Sequence, residues 1–127
     1  MNIDVPDLER AVAFYTSAFG LTVGRRFPAG MVELLGRCPI YLLHKPEGTP
    51  SSAAGGVRDY RRHWTPVHLD FVVVALEPAL AAALAAGARA ESGIVAAAWG
   101  RMVNLADPFG HGVCLLEFSA AGYDALL

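Results

Sequence analysis

The sequence predicts an α+β fold in which two βαβββ modules form a curved mixed sheet around a cleft. Three observations predict it: a strand–helix–three-strand order in the first half, the same order in the second half, and sequence similarity between the halves. The chain has 127 residues, enough for one domain with a hydrophobic core but too few for two domains of ordinary size. We therefore expect a single domain over residues 1–119, followed by a C-terminal tail over residues 120–127.

The first module, residues 1–45, begins with the short extended segment MNIDV and continues with a helix. Asp7 is a suitable N-cap, and from Leu8 onward apolar side chains recur at positions i, i+3, i+4 and i+7, which is helical spacing. Gly20 then ends the helix. Pro-Ala-Gly and Arg-Cys-Pro separate three extended segments after the helix. The three predicted strands lie in LTVGRRF, GMVELLG and PIYLLHK.

Residues 46–66 are predicted to form a connector. They are rich in Pro, Gly and Ser and then become basic and aromatic, a composition typical of loops. Within them, the run YRRHW at 60–64 is too short and isolated to bind nucleic acid. We expect it to cover one end of the cleft or to contact a partner subunit.

The second module, residues 67–119, repeats the order of the first. The segment VHLDFVVVA predicts a strand, and an Ala-rich helix follows with Pro78 in its first turn and Gly87 at its end. The remaining extended segments are ARAESGIV, GRMVNLAD and GVCLLEF.

The two modules are similar in sequence, which indicates an internal duplication. Laying IDVPDLERAVAFY over FVVVALEPALAAA superposes Leu8 on Leu76 at an offset of 68 residues. Laying PIYLLH over GVCLLE superposes Tyr41 on Cys114 at an offset of 73 residues. The larger offset predicts an insertion in the second module, around ESGIVAAAW.

The composition argues against several kinds of partner. The chain is 54% hydrophobic and 17% charged, with a net charge of −2, so it lacks the positive charge that binds nucleic acid or an anionic membrane. Apolar segments are interrupted well before the roughly 18 residues that a membrane-spanning helix needs. The N-terminal run MNIDVPDLER also lacks the features of a signal peptide. We expect a cytoplasmic protein.

The chain has two cysteines, Cys38 and Cys114, each within an apolar run. Two cysteines at this spacing make neither a disulfide framework nor a C-x-x-C metal motif. Free cysteine is usually buried, so we expect two buried, reduced thiols.

Strand alternation identifies a first pair of candidate functional residues. His68 and Asp70 lie on the same face of their strand. They could act as an acid–base pair, since histidine transfers protons near neutral pH. Alternatively, they only satisfy each other's polar atoms where the modules meet. On the last strand, Cys114 and Leu116 share a face.

Three runs of the sequence carry a family resemblance, and they read VPDLERAVAFYTSAFGL, VHLDFVVVALEPALAAALAAGARA and WGRMVNLADPFGHGVCLLEF. The third contains a turn of the form DP-x-GH, Asp107 to His111, before an apolar strand. The runs, which cover about residues 1–118, resemble the glyoxalase/bleomycin-resistance/extradiol-dioxygenase superfamily, also called vicinal-oxygen-chelate proteins, and the turn is among its more specific marks. The resemblance implies paired βαβββ modules, usually in a homodimer, with a cup that binds a divalent metal or an organic ligand.

In metal-using members of the superfamily, a His or Gln on each first strand and a Glu on each last strand bind the ion. In this chain the first-strand position of the second module is His68, which matches. The last-strand positions are Tyr41 and Cys114, neither of them a carboxylate, and the remaining position falls just ahead of Met1. A His and a Cys alone make a weak site. We therefore expect no cofactor, with a divalent metal (Zn, Ni, Mn or Fe) as the alternative.

Three further candidate residues have two possible roles each. Tyr41 and Trp99 are either walls for a flat ligand or ordinary core aromatics. Arg101 matches a position where bleomycin-resistance relatives often carry Arg after an aromatic–Gly pair. It would bind a ligand carboxylate or phosphate, or lie in an internal ion pair. Asp107 is interpreted as a turn residue.

The resulting hypothesis is a homodimeric, metal-independent protein whose cup binds a small aromatic or amphipathic molecule, for sequestration or for an unassigned metal-free reaction. Polar contacts would come from His68, Asp70 and Arg101, and the lining from Tyr41, Trp99 and Cys114. The alternative is a metal-dependent lyase or isomerase similar to lactoylglutathione lyase, or a ring-cleaving dioxygenase. A third possibility is a structural or regulatory dimer without a ligand.

Overall fold

The computed structural model describes residues 1–63 and 65–127. The chain divides into two compact units, residues 1–61 and residues 62–127. Each unit contains one mixed sheet and one α-helix, so the predicted α+β class is confirmed. Neither helix has the length and apolar character to cross a bilayer, a statement limited to the residues described.

The first unit has the predicted βαβββ order. Its sheet order is β1-β4-β3-β2, with β1 parallel to β4 and the other neighbours antiparallel. The parallel pair brings the first and last strands of the unit side by side. The elements are β1 (Asn2–Val5), α1 (Leu8–Phe19), β2 (Thr22–Phe27), β3 (Met31–Leu35) and β4 (Ile40–His44).

Helix α1 begins and ends where the sequence predicts. The Asp7 carboxylate accepts a hydrogen bond from the backbone N–H of Arg10 at 3.0 Å. Gly20 ends the helix in the left-handed conformation, with φ of 65°, which glycine adopts without a Cβ penalty. The helix packs on β3 and β4, whose Leu34 and Leu42 are fully buried. Its own buried side chains are Ala11, Val12, Phe14, Tyr15 and Ala18.

The second unit has a five-stranded sheet, one strand more than predicted. The sheet order is β5-β9-β8-β6, and β7 pairs with the beginning of β8. Strands β5 and β9 are parallel, as β1 and β4 are in the first unit. The elements are β5 (Leu69–Val72), α2 (Leu76–Ala86), β6 (Arg89–Ala90), β7 (Val95–Ala97), β8 (Gly100–Ala106), β9 (Gly112–Phe118) and a 3₁₀ helix (Gly122–Leu126).

The additional strand arises because the segment ARAESGIV, predicted as one strand, forms parts of two. The backbone N–H of Glu91 still donates to the carbonyl of Asn104 at 2.8 Å. The return bond is different, because the N–H of Asn104 donates to the side-chain hydroxyl of Ser92 at 3.0 Å. The side-chain bond ends the regular pairing, within the region where the offsets predict an insertion.

Helix α2 is capped by a side chain from the sheet. Its N-cap is Ala75, which has no side-chain acceptor. The Glu117 carboxylate of β9 takes that role and accepts a hydrogen bond from the N–H of Leu76 at 2.6 Å. A carboxylate at a helix N-terminus also interacts favourably with the helix dipole. The helix ends at Gly87, as predicted, with φ of 112°.

The strand registers of the two units repeat the sequence offsets. Asn2 lies opposite Tyr41 across β1 and β4, and Asp70 lies opposite Cys114 across β5 and β9. The first-strand residues are 68 positions apart and the last-strand residues 73. Tyr41 and Cys114 therefore occupy equivalent places in two copies of one supersecondary unit.

The prediction of two buried thiols is confirmed for Cys114 and wrong for Cys38. Both cysteines are free, but Cys38 is exposed. It lies in the bend between β3 and β4, where Arg37 precedes it and Pro39 follows. A chain reversal of this kind runs over the surface whatever the hydrophobicity of its residues.

Candidate functional site

The second unit brings His68, Asp70 and Cys114 together on one face of its sheet. The parallel pairing of β5 and β9 sets Asp70 opposite Cys114. His68 immediately precedes β5, outside the strand in which the sequence places it, and two positions before Asp70. The His68 Nε2 atom is 3.2 Å from Asp70 Oδ1, and one donor atom from each of the three residues lies within 4.8 Å of the others. We call these three residues the His–Asp–Cys cluster.

The His68 and Asp70 side chains of the cluster are accessible to solvent, whereas the sulfur of Cys114 is buried. The side chains of His68 and Asp70 are 33% and 45% exposed, whereas Cys114 is 6% exposed. The Cys114 thiol donates to Oδ1 of Asn104 at 3.3 Å. Burial, followed by the nearby Asp70 carboxylate, raises the pKa of the Cys114 thiol to about 11. At neutral pH the sulfur is therefore a protonated thiol and a poor nucleophile.

The equivalent place in the first unit holds a different set of side chains. Glu33 of β3 lies opposite Tyr41 of β4, just as Asn104 lies opposite Cys114. The Tyr41 hydroxyl donates to Glu33 Oε1 at 2.9 Å. Arg25 donates to both carboxylate oxygens, at 2.9 and 2.7 Å. The Glu33 carboxylate is thus held by a phenol and a guanidinium.

Glu33 was missed at the sequence level, although the hairpin between β3 and β4 contains the signal. An acidic residue in the apolar run GMVELLG points out of the core face and, across a short reversal, meets Tyr41. The side chain is only 8% exposed. Hydrogen bonds from Arg25, opposed by burial, hold the pKa of Glu33 at about 2 instead of its ordinary 4.5.

The low pKa of Glu33 predicts a pH-dependent contribution to stability. Because the folded-state pKa lies below the unfolded one, the contribution is complete above about pH 4.5 and is lost as the pH falls toward 2. Glu33→Gln is therefore expected to be less stable than wild type at pH 7, with the difference shrinking by pH 3. Urea unfolding at both pH values measures it. Exposed Glu47 supplies the control Glu47→Gln, and an equal wild-type advantage over Glu33→Gln at both pH values would contradict the assignment.

Trp99 lies outside the His–Asp–Cys cluster. It precedes β8 and packs against Phe118 and Tyr123, with ring centroids 6.1 and 5.5 Å away. Phe118 and Tyr123 also contact each other at 4.8 Å. The three rings join the end of the sheet to the 3₁₀ helix, and a role for Trp99 as a ligand wall stays a prediction.

Arg101 lies on the opposite face of β8 from Asn104, since strand residues alternate. Its guanidinium donates to Glu77 of α2 at 2.5 Å and to Glu117 of β9 at 2.8 Å. These contacts lower the pKa of both carboxyl groups. Of the two alternatives for Arg101, the structure contains the internal ion pair, and it does not bring Arg101 together with His68.

The DPFGH turn is held by Asp107, as predicted. Asp107 Oδ1 accepts hydrogen bonds from the backbone N–H groups of Phe109 and His111, both at 2.8 Å. The side chain is buried, so its two bonds replace the water that a loop carboxylate would otherwise bind. The turn sets the start of β9 and thereby the position of Cys114.

The predicted role of residues 60–64 as a cover or subunit contact remains untested. The Tyr60 hydroxyl donates to the carbonyl of Lys45 at 2.7 Å, inside the first unit. Arg62 pairs with Glu91 at 2.6 Å, inside the second. Trp64 lies outside the described residues.

Comparison with known proteins relates this chain to glyoxalase-like proteins. The model of the family described as "Glyoxalase-like domain" matches residues 1–116. A search of curated proteins gave no significant match.

Several solved structures share the fold. A glyoxalase-related enzyme from Fulvimarina pelagi has a TM-score of 0.72 at 20% identity, covering 96% of this chain and 91% of that one. TioX from Micromonospora has a TM-score of 0.71 at 21% identity, covering 94% and 96%. A mutant of FosX, a fosfomycin resistance protein from Listeria monocytogenes, complexed with Mn(II) and 1S,2S-dihydroxypropylphosphonic acid, has a TM-score of 0.70 at 17% identity, covering 94% and 88%. At these identities the likeness is one of fold.

Proposed function

Because this chain belongs to the Glyoxalase-like domain family, within the vicinal-oxygen-chelate superfamily, we propose that it binds a small organic molecule without the superfamily's carboxylate metal site. One observation carries the proposal. Where metal-using members place glutamates, this chain has Tyr41 and Cys114, and both side chains are hydrogen-bonded to neighbours. Residues 1–119 act as one domain in this proposal.

The chemistry of the Tyr41 and Cys114 side chains supports a binding site without the superfamily's metal. Ions such as Mn²⁺ and Mg²⁺ favour carboxylate and other oxygen ligands. The Tyr41 hydroxyl is engaged by Glu33, and Cys114 is a buried thiol whose pKa is raised to about 11. These residues do not fit an oxygen-liking ion, so no catalytic step is assigned to one.

The sheet face around the cluster suits an amphipathic ligand. Asp70 and Val72 lie on the same face of β5 by alternation, and Val72 is 60% exposed. The partly exposed His68–Asp70 pair therefore borders exposed apolar surface. Ligand sites generally combine apolar lining with a few placed polar groups. His68 and Asp70 would orient the ligand, whereas Arg101 is already bound to two carboxylates.

Tyr41 would present its ring as a wall in a fixed orientation, because Glu33 holds its hydroxyl. We further propose a cytoplasmic homodimer, by analogy with the superfamily at the level of the fold. In such a protein, sequestration of the ligand needs no chemistry beyond binding.

Ligand binding is expected to raise the melting temperature of metal-stripped protein. A ligand at one hundred times its Kd adds about 2.7 kcal/mol to the unfolding free energy. A panel of aromatic and glycosylated compounds, screened by thermal shift in the presence of a chelator, tests this. Asp70→Asn should reduce the shift, whereas Asp59→Asn, at a loop residue paired with Arg61, should not. The proposal fails if no compound shifts the melting temperature, or if shifts occur only after a divalent metal is added.

A further inference from the structure

We propose that the His–Asp–Cys cluster is a binding site for a thiophilic divalent cation, specifically Zn²⁺. This goes beyond the proposed function, which requires no metal. His68 and Cys114 stand at two ligand positions of the superfamily pattern, but that pattern also draws ligands from the first module. Here His68, Asp70 and Cys114 all belong to the second unit, and Asp70 occupies a position that the superfamily pattern does not use.

The spacing of the donor atoms suits a tetrahedral ion. Zinc binds imidazole nitrogen and carboxylate oxygen at about 2.0–2.2 Å, which puts two such ligands roughly 3.3 Å apart in a tetrahedron. His68 Nε2 and Asp70 Oδ1 are 3.2 Å apart. The three donor atoms span no more than 4.8 Å, so movements of about 1 Å would close the set around zinc with its roughly 2.3 Å bond to sulfur.

The backbone already fixes the positions from which these side chains project. Asp70 and Cys114 are register partners in a parallel ladder, and His68 is joined to that ladder by Leu69, the first residue of β5. Positions within a sheet are held more precisely than loop positions, so two of the three donors are fixed and the third is one residue from the strand. Only side-chain rotation is then needed to form the site.

The donor types favour zinc over harder ions. One sulfur, one imidazole and one carboxylate match the ligands that zinc takes in proteins, whereas Mg²⁺ and Mn²⁺ select oxygen. Zinc binding would displace the Cys114 thiol proton to solvent, and the resulting thiolate together with the Asp70 carboxylate would neutralise the charge of the ion. The Asn104 amide, whose oxygen accepts from the Cys114 thiol, would turn to donate its N–H to the zinc-bound thiolate as an outer-sphere partner.

The cluster also has an entry path and a free coordination position. Its His–Asp end is partly exposed, so the ion can arrive from solvent. Three protein ligands leave a fourth position for water or for a donor atom of an organic molecule, the arrangement typical of non-structural zinc sites. The site would therefore add a Lewis-acidic contact to the same face that the proposed organic ligand uses.

Metal titration without any organic compound tests the site. Chelator-stripped protein should bind one equivalent of Zn²⁺ in competition with a chromophoric chelator. With Co²⁺ it should show the thiolate-to-cobalt charge-transfer absorption that reports a sulfur ligand. Excess Mg²⁺ or Mn²⁺ should displace neither ion.

Variants separate this site from casual binding at other histidines. Cys114→Ser, Asp70→Asn and His68→Gln should each weaken zinc binding by more than the roughly 10–100-fold that loss of an outer-shell partner costs. Cys114→Ser should also abolish the charge-transfer band. Cys38→Ser, which removes the exposed thiol, should change neither measurement, and circular dichroism checks that each variant is folded.

The proposal is overturned if folded wild-type protein shows no charge-transfer band, or if Cys114→Ser binds zinc as tightly as wild type. Neither result bears on the proposed binding of an organic molecule, because the thermal-shift screen for that molecule is done in the presence of a chelator. Failure of the ligand panel likewise leaves the zinc titration intact.

Discussion

Replacing Gly100 with alanine is expected to lower the free energy of unfolding by about 3 kcal/mol or more, from backbone strain and steric overlap together. Gly100 begins β8 with φ of 149°, a conformation that residues with a side chain rarely adopt. A Cβ atom there would lie 2.1 Å from the carbonyl oxygen of Glu117 and 2.9 Å from Cα of Phe118. Both contacts are backbone atoms of β9, so no side-chain rotation can relieve them.

Gly93 provides a matched control, because a Cβ at that position would meet no atom within 4 Å. Gly93→Ala is expected to change stability by no more than about 0.5 kcal/mol. Urea-induced unfolding followed by circular dichroism measures both variants. An unchanged urea midpoint for Gly100→Ala would show that β8 and β9 are not packed this closely at their shared end.

The parts of the fold that the sequence predicts correctly are those set by local interactions. Asp7 and Gly20 delimit α1 through bonds to residues within one helical turn. The DPFGH turn is likewise determined by the side chain of Asp107. Periodicity and turn chemistry carry these assignments because the partners are neighbours in the chain.

Most features that the sequence does not predict depend on partners that are distant in the chain. Helix α2 has no capping residue of its own, and its cap, Glu117, comes from the last strand. The division of ARAESGIV into two strands depends on a bond between Ser92 and Asn104 on another strand. Cys38 is a different case, because its apolar neighbours predict burial whereas the local bend between β3 and β4 exposes it.

The candidate site shows the same division between local and distant contacts. The sequence predicts that His68 and Asp70 are close, since they are two positions apart, and they lie 3.2 Å apart although His68 falls one residue ahead of β5. Cys114 was singled out separately, as the residue replacing a glutamate, and only the parallel pairing of β5 with β9 brings it to Asp70. Parallel neighbours are joined by long crossovers, so local sequence patterns do not place the three donor side chains together.

In metal-free protein, Cys114 is expected to react with a thiol-specific disulfide reagent at least about 100-fold more slowly than an ordinary exposed thiol. Burial and Asp70 raise its pKa from the ordinary 9.0 to about 11. Each unit of pKa lowers the fraction of thiolate present at pH 8 about tenfold. Limited access adds to the effect, because Cys114 is 6% exposed. Wild-type protein should therefore show one fast thiol, Cys38, and one slow thiol.

Two single variants show which cysteine gives the fast reaction and which gives the slow one. Cys114→Ser should keep only the fast reaction, and Cys38→Ser only the slow one, which should accelerate when urea unfolds the protein. Asp70→Asn in the Cys38→Ser background should speed the slow reaction, because it removes the carboxylate that disfavours the thiolate. Equal rates for the two cysteines in folded protein would contradict both the burial of Cys114 and its contact with Asp70, since either alone suppresses attack by the sulfur.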